Sequence, residues 1–226
     1  MRSRVLGALG ALALQVALVL AALFMAAFDR GFYFSEYARL GVYESCGADA
    51  ETLERATDIT IDYLRGTAPD MSGEGVIDGV RRDIFGADER AHMQDVRELF
   101  RLALIVLLIS GAVAIACLLL AGRHARGTAQ GALIGMGAFL LIMAIAAIWC
   151  ACDFEGAFLA MHGALFTNEL WQMDARTQFM IRMFPQQFFA DMGLRIALFT
   201  GVGMAAEAFI IYMTGFGGRK GKDGIR

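Results

Sequence analysis

Four apolar blocks of twenty or more residues dictate what this chain can fold into: Val5 to Phe28, Leu102 to Ala121, Gly131 to Cys152 and roughly Leu194 to Phe216. A helix of about 20 apolar residues is long enough to cross the hydrocarbon core of a bilayer, so the blocks predict four crossings. An all-α membrane protein with four transmembrane helices is the fold class expected. Gln15 in the first block and Glu207 in the fourth are the polar interruptions. The first block is too long for the apolar region of a secretory signal, about 7 to 15 residues, and reads as a retained anchor. Four crossings put both termini on one side.

Charge sorting selects that side. Arg2 and Arg4, Arg123 and Arg126, and the tail cations Arg219, Lys220, Lys222 and Arg226 all fall together, which predicts cytoplasmic termini by the positive-inside bias. The opposite side receives residues 29 to 99, with 16 Asp and Glu against 8 Arg, and residues 153 to 192, with 5 against 2. These segments predict a small, mixed, acidic extracytoplasmic cap, and their charge argues against nucleic acid as a partner. The expected order is therefore tip and first crossing (1–28), cap segment (29–99), second crossing (100–122), cytoplasmic turn (123–130), third crossing (131–152), second cap segment (153–192), fourth crossing (193–216) and basic tail (217–226).

Within the cap, residues 49 to 65 have the apolar spacing of a short amphipathic helix closed by Gly66 and Pro69, and the glycine-punctuated stretch 70 to 87 reads as a hairpin or turn-rich segment. Asp88 is placed to cap a helix that runs through His92 into the second crossing. The third crossing is expected to continue past Cys152 through Phe158, His162 and Phe166 as one helix. Pro185 marks the break before the fourth. Trp171, Tyr33 and Tyr37 fit an interfacial aromatic belt, and Arg101 and Arg195 are placed to snorkel to headgroups.

Of three histidines, His124 falls in the cytoplasmic turn, while His92 and His162 share the opposite side near the ends of adjacent crossings. Imidazole both takes and gives protons near neutral pH, so a facing pair can supply a base and an acid. Read singly, each is equally an interfacial polar residue. Glu89 and Asp95 flank His92 at three residues to either side, on its own helical face, and Glu155 and Glu169 flank His162 at seven. No H-E-x-x-H or G-x-S-x-G pattern is present, and the five serines sit in no nucleophile context. Cys46 and Cys152 are available to pair in an oxidising compartment, though two cysteines define no framework. Glu207, near the middle of its crossing, is a functional candidate by depth, or a protonated group bonded to Gln15.

The run Glu89-Arg-Ala-His92-Met93-Gln-Asp95-Val96-Arg-Glu-Leu99-Phe100, joined to His162-Gly-Ala-Leu-Phe166-Thr-Asn168-Glu-Leu170-Trp171 with Asp174 and Phe184-Pro185 following, resembles the bacterial lipoprotein intramolecular transacylase (Lit) family. Met161 and Ala175 depart from the pattern, and residues 44 to 87 are not matched to it. The resemblance implies an intramolecular O-to-N acyltransferase of the bacterial cell membrane, working at the extracytoplasmic interface on diacylglyceryl-modified lipoproteins among membrane lipids. It implies catalytic histidines, by position His92 and His162. Glu89, Asp95, Asn168 and Asp174 are the accompanying candidates for orienting roles, with Asn168 also open as an oxyanion donor. No cofactor or metal is expected, and a monomer is assumed. Two alternatives stand beside this reading: a metal-dependent membrane lipid hydrolase, and a non-enzymatic transporter or regulatory membrane protein in which Glu207 matters more than the histidines.

Overall fold

The computed structural model describes residues 1–122 and 125–216; Arg123, His124 and the basic tail from residue 217 lie outside the described residues. The order is α1 (Arg2–Ala27), α2 (Arg30–Leu40), α3 (Val42–Ser45), α4 (Ala50–Arg65), β1 (Glu74–Ile77), β2 (Val80–Asp83), α5 (Ala87–Ala121), α6 (Ala125–Cys152), α7 (Phe154–Leu165), α8 (Met180–Met183) and α9 (Gln186–Gly215). Helices α1, α5, α6 and α9 are each long and apolar enough to cross a membrane. The chain divides into two compact units, one of Met1–Leu23, Ala103–Cys152 and the chain from Ile196, the other of Phe24–Leu102 and Asp153–Arg195.

The first unit is a helix bundle held by small residues. A side chain at Gly7 would run into the Thr128 backbone, and one at Gly131 or Gly135 would strike the carbonyls of Arg4 or Ala8, so α1 and α6 touch nearly backbone to backbone. Such close approach is how helices associate where the surroundings are as apolar as the side chains. Ala11, Ala129, Ala132, Met136, Met204 and Ile211 form the small core. The other faces are strongly exposed and apolar, Leu118 at 68% and Ile148 at 64% for example, which only a lipid environment makes tolerable. Gln15, fully buried, donates from its Nε2 to the Glu207 carboxylate, the pairing that matching depth in the crossings suggested.

The second unit is built around aromatic residues. Tyr33, Tyr37, Phe184 and Phe188 pack ring against ring with Phe32, above Leu53, Ile77, Phe85 and Phe179. The Tyr33 hydroxyl donates to the Ala27 carbonyl, and the Tyr37 hydroxyl lies 3.0 Å from Thr57 Oγ1, so each buried phenol is satisfied. Tyr33 and Tyr37 are therefore core residues, not members of an interfacial belt.

Helix α4 starts and stops where its caps direct: the Asp49 carboxylate accepts from Thr52 N, and Gly66, in the left-handed region, closes the end. The glycine-rich stretch is the antiparallel hairpin β1–β2, turned by Asp78 and Gly79, both at positive φ as a two-residue type I′ turn requires. Arg182 holds that turn with two hydrogen bonds to Asp78, at 2.8 and 3.1 Å.

Two expectations about helix ends need correction. Helix α5 begins at Ala87, one residue before Asp88, which lies in the first turn instead of capping it. The third crossing does not continue outward. It ends at Cys152, and Asp153 starts the separate helix α7 by accepting from Gly156 N at 2.9 Å. Arg101 and Arg195 pair with Glu98 and Asp29, and Arg195 also sits over the Phe32 ring. Cys46 and Cys152 are both free thiols.

Candidate functional site

His92 and His162 both belong to the second unit. His92 lies in the second turn of α5, well before the apolar run that begins at Leu102, and His162 in the last turn of α7. Their rings face each other with centroids 6.4 Å apart and planes 29° from parallel. Phe166 closes the pair from one side, 5.0 Å from His92 and 5.6 Å from His162. Phe158, one turn earlier on α7, lies 4.0 Å from His162, and Trp171 lies 5.1 Å from it. The pair is thus set in an aromatic box with few competing hydrogen-bond partners.

One contact fixes the chemistry of His162. Its Nδ1 is 2.9 Å from the Phe158 carbonyl oxygen. A carbonyl can only accept, so Nδ1 carries the proton, and in the neutral ring Nε2 is left with a free lone pair. Burial lowers the His162 pKa from its usual 6.5, with the Phe158 hydrogen bond acting against that shift. Burial likewise pushes His92 down to about 4, His162 adding to the depression and Asp95 opposing it. At neutral pH both imidazoles are uncharged. The Nδ1 of His92 is enclosed with no hydrogen-bond partner among the described residues.

The accompanying candidates divide. Asp95 and Asn168 are brought together: the Asn168 amide donates to Asp95 at 2.8 Å, tying the loop after α7 to α5. Asn168 also accepts from Leu170 N through its side chain, and its carbonyl takes the Trp171 indole N–H at 2.9 Å. The chain of contacts Asp95, Asn168, Trp171, His162 therefore links one histidine's helix to the other histidine's wall.

Glu89, only 2% exposed, does not touch His92. Its carboxylate accepts from Gly86 N and from Met180 N, the latter at 2.6 Å, and clamps the start of α5 to α8. Asp174 closes on its own loop, accepting from Arg176 backbone and guanidinium, which holds its carboxyl down at about 2. Glu169 lies beyond the end of α7, off the face of His162, because the helix stops at Leu165. Among the described residues no three His, Cys, Asp or Glu side chains converge to hold a metal ion.

The fold defines a multi-pass, mainly helical membrane protein whose two histidines face each other within one of its compact units. The chain belongs to the lipoprotein intramolecular transacylase (Lit) family of enzymes, whose model matches residues 8–189. In fold it is similar to the membrane integral lipoprotein intramolecular transacylase Lit from Bacillus cereus, at 20% identity and a TM-score of 0.74 over 93% of this chain and 94% of that one. Two histidine variants of the same Bacillus cereus protein are also similar. A histidine-to-arginine form has a TM-score of 0.70 at 19% identity, covering 93% and 90% of the two chains. A histidine-to-alanine form has 0.68 at 19%, covering 93% and 91%. No curated protein matches the chain.

Proposed function

We propose that this protein moves the sn-2 acyl chain of a diacylglyceryl-modified lipoprotein onto the α-amino group of that lipoprotein's own N-terminal cysteine, leaving a lyso-form product. The facing neutral histidines carry this reading, together with family membership. Residues 29–99 and 153–192 face the extracytoplasmic side and both termini the cytoplasm, as the sorting of arginines and lysines favours. A substrate anchored by acyl chains is then met at the outer interface.

A free α-amino group has a pKa of about 7.7 to 8.0, so its ammonium form first gives one proton to solvent and the neutral amine is the attacking species. As it attacks, His162 Nε2 takes a proton from the nitrogen, its ring held in the required tautomer by the Phe158 carbonyl. The amine nitrogen bonds to the ester carbonyl carbon, and the bond from that carbon to the glyceryl oxygen breaks. His92 donates its ring proton to the departing oxygen. A neutral imidazole is a suitable donor to a strongly basic alkoxide, and a depressed pKa keeps it neutral. The proton on His162 then passes to His92, and both rings end as they began. Attacking and leaving groups belong to one molecule, so positioning alone is worth on the order of 7 to 11 kcal/mol of barrier. Ester-to-amide transfer is downhill and needs no energy source. Asp95, Asn168 and Trp171 act by holding His162 in place.

The test is mass spectrometry of the N-terminal lipopeptide of a reporter lipoprotein in a host lacking N-acylation. Expressing this chain is expected to move one acyl group from oxygen to nitrogen with total mass unchanged. A lipopeptide that keeps its free amine beside correctly inserted protein contradicts the reading.

A further inference from the structure

The face of α5 opposite His92 lines a groove of about 600 Å3 that the transfer reaction does not use. Its wall on α5 carries Arg90, Gln94, Arg97 and Arg101, spaced three to four residues apart as one helical face requires, with Glu98 beside Arg101, and Tyr63 and Asp70 also line it. Ion pairing consumes most of the charge. Arg101 is bonded to Glu98, Arg90 faces Asp83 at 3.5 Å and donates to the Phe85 carbonyl, and Asp70 accepts from Ser72 N.

Arg97 is the exception. It stacks on Tyr63, 4.4 Å from the ring centroid, and donates only to the Pro69 carbonyl at 3.3 Å, while its Nε is enclosed without a hydrogen-bond partner. A guanidinium never loses its charge, and no carboxylate among the described residues is bonded to this one. Its planar fork suits two oxygens of a phosphate. Along α5, the exposed apolar face opens at Leu102 and continues through Leu104 and Ile105, within about two turns of Arg97.

We propose that this groove holds the phosphodiester headgroup of an anionic membrane phospholipid, with Arg97 as the principal contact and Arg101 and Arg90 at its flanks. One observation favours a lipid over a free anion: the arginine face leads along α5 to the exposed apolar side chains of Leu102, Leu104 and Ile105, where a lipid is held by its own chains and a free anion is not.

The experiment is native mass spectrometry of the purified full-length protein in mixed micelles containing phosphatidylglycerol or phosphatidylcholine. The wild type is expected to retain phosphatidylglycerol one to one and in preference to phosphatidylcholine. Arg97→Gln is expected to weaken retention on the order of tenfold. Glu98→Gln, which frees Arg101, is expected to strengthen it several-fold, an outcome no loss of folding can imitate. Equal retention of both lipids overturns the proposal, as does equal phosphatidylglycerol binding by wild type and Glu98→Gln. Displacement of the lipid by millimolar inorganic phosphate would assign the groove to the free ion and overturn the lipid assignment.

Discussion

The Asn168 side-chain amide donates to the Asp95 carboxylate at 2.8 Å, across 73 residues of sequence, and so couples the loop that carries Trp171 to the helix that carries His92. Neither residue touches an imidazole by hydrogen bond. If the pair positions His162 through Trp171, breaking it lowers turnover without removing either histidine. Asn168→Ala is expected to reduce the transfer rate by about tenfold, the order of one charged hydrogen bond. Asn168→Asp is expected to do more harm by facing two carboxylates, and the double variant Asn168→Asp with Asp95→Asn to recover much of the loss. Steady-state rates on a lipopeptide, with a thermal melt of each variant, check this. Failure of the double variant to recover while remaining folded would sever the link.

Deleting either imidazole has a larger effect. His162→Ala removes the proposed base and His92→Ala the proposed donor, each expected to cost 100- to 10,000-fold in rate. Glu207→Gln keeps a hydrogen-bonding partner for Gln15 and is expected to leave the rate within about twofold. The reverse ranking, with Glu207 dominant, would favour a transporter-like role.

Acid sensitivity follows from the histidine pKa values. His92 titrates near 4 in the folded protein and near 6.5 unfolded, so the unfolded chain binds the extra proton between those values. Its contribution to stability is fully present above about pH 6.5 and is lost as pH falls toward 4, a total of roughly 3 kcal/mol. His92→Gln is expected to flatten that part of the stability curve in thermal melts run from pH 7.5 to pH 4. Transfer rate should also rise through a pKa below 6.5, as His162 gives up its proton.

Glu89 is a structural clamp by its contacts. Glu89→Ala leaves the N–H groups of Gly86 and Met180 without their acceptor and is expected to destabilise by about 1 to 3 kcal/mol. Melting temperature is the readout. A variant as stable as the parent, but inactive, would move Glu89 into the chemistry.

The sequence made some of this plain and hid the rest for physical reasons. The crossings announce themselves by length, α4 by its Asp49 and Gly66 caps, and the hairpin by its glycines. The proximity of His92 and His162 follows once four crossings are counted. The break at Asp153 was not legible, because a lone acidic residue at the end of an apolar run reads as readily as a helix interior as a cap. Helix α2 mixes arginines, a glutamate and four aromatics without a clean period, so Tyr33 and Tyr37 looked like interfacial residues when they are core. Glu89 and Asp95 occupy His92's face by spacing, yet their carboxylates are taken by Met180 and Asn168, partners 91 and 73 residues away. Asp174 is captured by its near neighbour Arg176. Local spacing shows which groups share a face, and only the fold shows which partner reaches them first.

In the proposed reaction two neutral imidazoles, without a metal, carry one acyl chain from oxygen to nitrogen within a single molecule. The direct measurement incubates purified protein with a synthetic diacylglyceryl lipopeptide and locates the acyl chain by fragmentation mass spectrometry, with wild type, His92→Ala and His162→Ala compared in the presence and absence of chelator. The expected result is an N-acylated lyso-product of unchanged mass from the wild type alone, at the same rate with chelator. Transfer by His162→Ala at a rate near that of the wild type, or loss of wild-type transfer on adding chelator, would contradict that reaction.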